Sequence, residues 1–190
     1  MKLPVYKKEK ATRKDFVKFW SQLYDYPNEH LYTKNIGKKP TEDRLLALFE
    51  WKIGERFWEF KQDSIRVNFI DRLGELEERA SVQTVKQLLG AFQHGGAIYR
   101  IFWLHCLQPK RFPIFDQHVY RAMKFVQTGA INEIPKSEVK KIDSYIREYI
   151  PFFAKFDDQR FTDREVDKAL WAFGAFIKNK QYRTAFHIQP

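Results

Sequence analysis

The chain has 190 residues, enough for one domain or for two small lobes sharing a core, and its 18 Phe, 9 Tyr and 5 Trp supply that core with rings. Its single cysteine, Cys106, excludes an intrachain disulfide, a multi-cysteine zinc site and a cysteine-ligated iron–sulfur cluster. A formal net charge of +10 favours polyanionic partners, nucleic acid before anionic membrane surface. No apolar run is long enough for a signal peptide or a membrane span, so a soluble, cytoplasmic or nucleoid-associated protein is expected.

Residues 1–14 form a basic arm with six Lys or Arg and one acid. The arm suits the tracking of phosphates and equally suits a plain solvated terminus. Residues 15–190 read as a single all-α domain, with 82–126 as a candidate second lobe. Thr12-x-x-Asp15 resembles a capping box and opens a helix through about Tyr24, with Phe16, Phe19, Trp20 and Leu23 on its apolar face. Tyr26-Pro27-Asn28 ends it, and a loop carries Gly37-Lys38-Lys39-Pro40. Thr41 caps the next helix, whose apolar set is Leu45, Leu46, Leu48, Phe49 and Ile53, before a break at Gly54. Phe57, Trp58 and Phe60 follow, as core or as cleft lining.

Ile65, Phe69, Ile70, Leu73 and Leu76 predict a third helix. Ser81 caps a fourth, with Val82, Val85, Leu88, Leu89 and Phe92. Gln93-His94-Gly95-Gly96 is a tight turn, and Ala97 to Leu107 is the most apolar segment of the chain, with Arg100 as its only formal charge. Pro113 blocks continuation of that helix, and Asp116 stands at the N-cap of an amphipathic helix holding Val119, Ala122, Met123 and Val126. Pro135 to about Phe156 predicts a long helix with Val139, Ile142, Ile146 and Ile150 on one face, kinked or ended at Pro151. Thr162-x-x-Glu165 caps a last helix with Val166, Ala169, Leu170, Phe173 and Ile177. No strand alternation, hairpin signal or repeat is present, so the fold class is all-α, with about seven or eight helices.

Several chemistries are excluded by spacing. Gly95-Gly96 follows a helix rather than a strand, so neither the phosphate-loop nor the dinucleotide fingerprint applies. His30, His94, His105, His118 and His187 make no i, i+4 ligand pair, and neither metal nor cofactor is expected. His105 and Cys106, as neighbours, cannot share a helix face, which removes a Cys–His nucleophile. No Ser sits in a nucleophile elbow. Asp116 remains. Its carboxylate should be ionised by the helix dipole and the free N–H groups of the first turn, as a plain cap or as a prepared catalytic group.

The run S-V-Q-T-V-K-Q-L-L-G-A-F-Q-H-G-G-A-I-Y-R-I-F-W-L-H-C-L, followed by F-P-I-F-D-Q-H-V-Y-R-A-M, resembles a divergent form of the helix-hairpin-helix DNA glycosylase superfamily. Asp116, His118, Val119 and Arg121 match the family's [VI]-D-x-H-V-x-R segment, about twenty residues after a glycine hairpin. V-D-K-A-L-W-A-F-G-A-F-I, Val166 to Ile177, is similar to the family's later helix. The hairpin lacks the family's Pro and its G-[VI]-G spacing. The window that holds a lysine in strand-cleaving members holds Ala97 and Ile98 here, so no Schiff base, and no lyase activity, is expected.

The resemblance implies monofunctional removal of a damaged or modified base from duplex DNA. Asp116 would stabilise the positive charge that develops on the sugar and orient the attacking water. The base, swung out of the duplex, would stack on rings, for which Trp51, Phe57, Trp58 and Trp103 are the candidates, each of which also fits the core. Gly95 and Gly96 would bring backbone N–H groups to phosphates, with Lys110, Arg111, Gln117 and His118 as further DNA contacts. The rival reading is a non-enzymatic nucleic-acid-binding or interaction protein that keeps the architecture and has lost the chemistry. A third is a helical protein in which Asp116 is only structural.

Overall fold

The computed structural model describes residues 11–54, 59–80, 83–156 and 160–180, and among them every regular element is helical. Helix α1 (Arg13–Trp20) starts at the Thr12 box, in which the Thr12 hydroxyl and the Asp15 carboxylate each accept the other's backbone N–H. One tight turn, Ser21–Leu23, extends it. Its buried residue is Val17, whereas Phe19 and Leu23, expected inside, are 39% and 54% exposed. Helix α2 (Glu29–Asn35) was not foreseen. It is seven residues long, opens after Asn28 in the left-handed conformation, and offers too short a run for any periodicity to register. Helix α3 (Glu42–Ile53) is capped by Thr41 and ends at Gly54.

The single helix expected around Ile65 to Leu76 is two, α4 (Glu59–Ile65) and α5 (Leu73–Ala80), joined by the π-helical turn Arg66–Ile70. Helix α6 (Val85–Ala91) is capped by Thr84, whose hydroxyl and the Gln87 amide form the box. The expected cap Ser81, with Val82, lies outside the described residues. Helix α7 (Ala97–Leu107) and α8 (Gln117–Thr128) flank the Phe112–Asp116 loop. The long helix expected from Pro135 starts instead at Ser137, the N-cap of α9 (Glu138–Ser144), which passes through a π turn at Tyr145–Tyr149 into α10 (Ile150–Ala154). Val139, ahead of that turn, is 76% exposed, and the buried face from the turn onward is carried by Tyr145, Tyr149 and Phe152 rather than by the expected isoleucines. Pro151 follows that turn, and the helix runs on through it rather than ending there. Helix α11 (Asp163–Phe176) closes the order.

One cluster of buried side chains joins these helices. Phe49, Phe69, Phe102 and Trp103 stack at centroid separations of 5.1 to 5.4 Å beneath the α6–α7 hairpin. The lone charge of α7 has a structural use, since Arg100 Nη1 donates to Leu89 O and Phe92 O and satisfies the free end of α6. Helix α8 packs along α11 so closely at Gly174 that a Cβ there would lie 1.9 Å from His118 O. Fully buried Arg121 ties the same two helices, donating to Gly174 O at 2.9 Å and bidentately to Glu133 at 3.0 and 2.7 Å. The start of α8 is therefore held from behind by α11. Asp116 sits at that start.

Candidate functional site

The loop before α8 is anchored twice. His105 Nδ1 lies 2.7 Å from Phe112 O and must carry the proton there, which leaves Nε2 to accept from Tyr32 Oη at 2.8 Å. Burial pushes the imidazole's pKa down to about 3, so it stays neutral. Tyr145 Oη donates to Pro113 O at 3.1 Å. With Phe112, Ile114 and Phe115 buried, this short apolar loop delivers Asp116 to one place.

Asp116 Oδ1 accepts the N–H groups of His118 and Val119 at 2.8 and 3.2 Å, the N-cap read from the sequence. Oδ2 meets Lys52 Nζ, from the end of α3, at 3.0 Å, and the Lys52 side chain is only 7% exposed. Burial alone would raise the Asp116 pKa, but Lys52, His118 and the Val119 N–H outweigh it and hold the carboxyl below the ordinary carboxylate range.

Asp116 opens on a cleft of about 320 Å³ walled by Tyr26, Ile98, Tyr99, Ile134 and Trp171, with Lys52, Lys141, Gln117 and His118 supplying polar groups. The His118 ring packs against Trp171 at 5.0 Å, and its Nδ1 lies 3.4 Å from Arg121 Nη1, which can only donate. His118 Nε2 lies 3.5 Å from the Gln117 side-chain amide. Burial, with Arg121 and Lys178 nearby, outweighs Asp116 and lowers the His118 pKa, which favours the neutral ring. Behind Asp116, Asp167 has one oxygen on Arg164 and the other without a hydrogen-bond partner, and burial pushes its pKa up to about 6.

Of the residues expected at the site, Asp116, Gln117 and His118 lie on this cleft. Trp51 and Trp103 do not stack there. They are 4% and 1% exposed core residues, Trp51 donating to Glu29 and Trp103 packed on Phe69 and Phe92. Trp58 and Phe57 lie outside the described residues. Arg111 is spent on the Ala80 and Gln83 carbonyls at 2.7 and 3.0 Å and braces the end of α5. Lys110 lines a separate, mostly apolar cavity of about 370 Å³ with Tyr32, Ile36, Pro113 and Phe153. Gly95, at φ +84°, is small because a Cβ would meet the Phe69 ring at 2.3 Å. Beyond Gly96, the Ala97 N–H donates to Glu138 rather than facing open solvent.

The cleft rings are Tyr26, Tyr99 and Trp171, none of which stands out in the sequence. The hairpin window holds no amine, as the sequence indicates, but space supplies one in Lys52 from a distant helix. A signal for it existed. Lys52 stands in register with Leu45, Leu48 and Phe49, on the buried face of α3, where a charge has to be explained.

Among the described residues no three His, Cys, Asp or Glu side chains converge as metal ligands, and no helix is long and apolar enough to cross a membrane. The chain matches no protein-family model, no curated protein and no solved structure.

Proposed function

We propose that this chain is a DNA-binding protein of helix-hairpin-helix glycosylase type that hydrolyses the N-glycosidic bond of a damaged or modified base through Asp116. The observation that carries the reading is an ionised carboxylate held rigidly at the mouth of a cleft lined by Tyr26, Tyr99 and Trp171. Those rings, with Ile98 and Ile134 beside them, offer apolar surface to an extruded base, on a chain of net charge +10. As the bond breaks, its electron pair leaves with the base and positive charge develops on the sugar. Asp116 offsets that charge, and water then adds to the sugar and supplies the proton that the base takes away. Lys52 Nζ is engaged by Asp116 Oδ2 at 3.0 Å, and hydrolysis without strand cleavage is the activity proposed.

The second reading, a nucleic-acid-binding protein without the chemistry, is favoured by a specific feature. Both Asp116 oxygens are already engaged, one by the cap and one by Lys52. A screen of the purified protein against duplexes carrying oxidised, alkylated, deaminated or mismatched bases separates the two. Base release from at least one duplex, abolished in Asp116→Asn with duplex affinity retained, supports the enzyme. Duplex binding with no release from any member of the panel supports the second reading.

A further inference from the structure

A second cavity lies apart from the Asp116 cleft and shares no wall residue with it. Its volume of about 370 Å³ falls at the small end of the range of small-molecule sites. It opens between the end of α2, the loop after α7, α10 and the first turns of α11, and Ile36, Pro109, Pro113, Ile114 and Phe153 make its wall mostly apolar. The polar side chains set into that wall are largely spoken for. Tyr32 and His105 bond to each other, and His105 also to Phe112 O. The Thr33 and Thr162 hydroxyls donate to Glu29 O and to the Glu165 carboxylate. Arg164 divides its guanidinium among Glu29, Asp167 and Tyr24 Oη.

Asp167 is different. The residue is 5% exposed, one oxygen takes its bond from Arg164, and the other, Oδ1, is buried with no hydrogen-bond partner. A carboxylate oxygen left so at the wall of an apolar cavity carries a desolvation cost that a donor arriving with a ligand would offset. An anionic ligand would face that carboxylate with Arg164 already taken, and a wholly apolar one would leave Oδ1 unmet. A cation on an apolar body meets both demands, because a charge-assisted hydrogen bond is the stronger kind. The exposed charges on the same wall, Lys110 and Asp163, are of opposite sign and raise no net barrier to it.

We propose that this cavity binds a small organic ammonium, its apolar body against Ile36, Ile114 and Phe153 and its N–H groups donating to Asp167. Oδ1 is recessed, so a slender primary ammonium suits it. The site stands without the DNA-binding reading, and neither needs the other.

The test follows the isoleucine δ1 methyl resonances of the full-length protein at neutral pH as benzylamine is added, with benzyl alcohol as the uncharged probe of the same shape. Ile36 and Ile114 line this cavity, whereas Ile98 and Ile134 line the Asp116 cleft, so the methyl that moves reports which space is occupied. Benzylamine is expected to shift Ile36 and Ile114 saturably, to leave Ile98 and Ile134 in place, and to bind roughly tenfold tighter than benzyl alcohol. In Asp167→Asn, which keeps the shape of the side chain, that advantage should vanish while benzyl alcohol binds as before. The comparison of amine with alcohol in the wild type stands on its own should the variant fold poorly. No saturable shift at Ile36, equal affinity for the two probes, an advantage that survives Asp167→Asn, or movement of Ile98 and Ile134 instead would each overturn the ammonium site. All four leave the DNA reading as it stands.

Discussion

At Asp116 the two carboxylate oxygens face different duties, Oδ1 closing the first turn of α8 and Oδ2 meeting Lys52. Asp116→Asn keeps the first, since Asn also caps, and strips the second, leaving a nearly buried ammonium without its anion. The single variant should therefore lose about 1–3 kcal/mol in chemical denaturation, and the double variant Asp116→Asn, Lys52→Met should recover most of it. Equal losses in both would show that the pair is not coupled. His105 gives a pH-dependent counterpart. Unfolded, it protonates below about 6.5; folded, only below about 3. Between those values the unfolded state binds the extra proton, so His105 makes stability rise with pH through that window. Asp167 opposes it, because a folded pKa of about 6 lies above the unfolded value of about 3.9, and stability from this group falls as pH rises between the two. Thermal melts from pH 4 to 7 should rise more steeply with pH in Asp167→Asn than in wild type, and less steeply in His105→Gln.

Gly174 sets the geometry between elements. It lets α11 press against the His118 carbonyl, and with Arg121 it fixes where α8 begins and hence where Asp116 and His118 point. Gly174→Ala places a methyl carbon 1.9 Å from backbone that cannot yield, and should cost roughly 1–3 kcal/mol in denaturant melts. An unchanged midpoint would refute the tight crossing. The F-G pair near the end of this helix was legible in the sequence, and so were the Thr12, Thr41, Asp116 and Thr162 caps, because a cap is written within four residues. The π turns after α4 and α9 were not, since one inserted residue leaves composition untouched while rotating every side chain beyond it, so that Tyr149 and Phe152 are buried while Ile150, expected on the inner face, is only half-buried. Helix α2 was hidden for a different reason, being shorter than two full periods.

At the scale of the whole molecule, the all-helical architecture followed from apolar periodicity, whereas the cleft did not. Asp116 and His118 were visible because local chemistry marks them. Lys52, Tyr26, Tyr99, Lys141 and Trp171 come from five separate segments that only tertiary packing brings together. No local pattern distinguishes a ring that lines such a cleft from one that fills the core, which is why Trp51 and Trp103 looked equally suitable and are buried. The excess of 34 basic over 24 acidic residues acts at this scale too, predicting duplex affinity that falls steeply with added salt. The proposed extrusion of a base into this cleft is probed most directly by the affinity, across a range of salt, for a duplex carrying a tetrahydrofuran abasic analogue against the intact duplex of the same sequence. Salt-steep binding to both is expected, tighter at the abasic site, where no stacked base has to be extruded. Absent or salt-independent binding, or equal affinity for the two duplexes, would contradict base extrusion into this cleft.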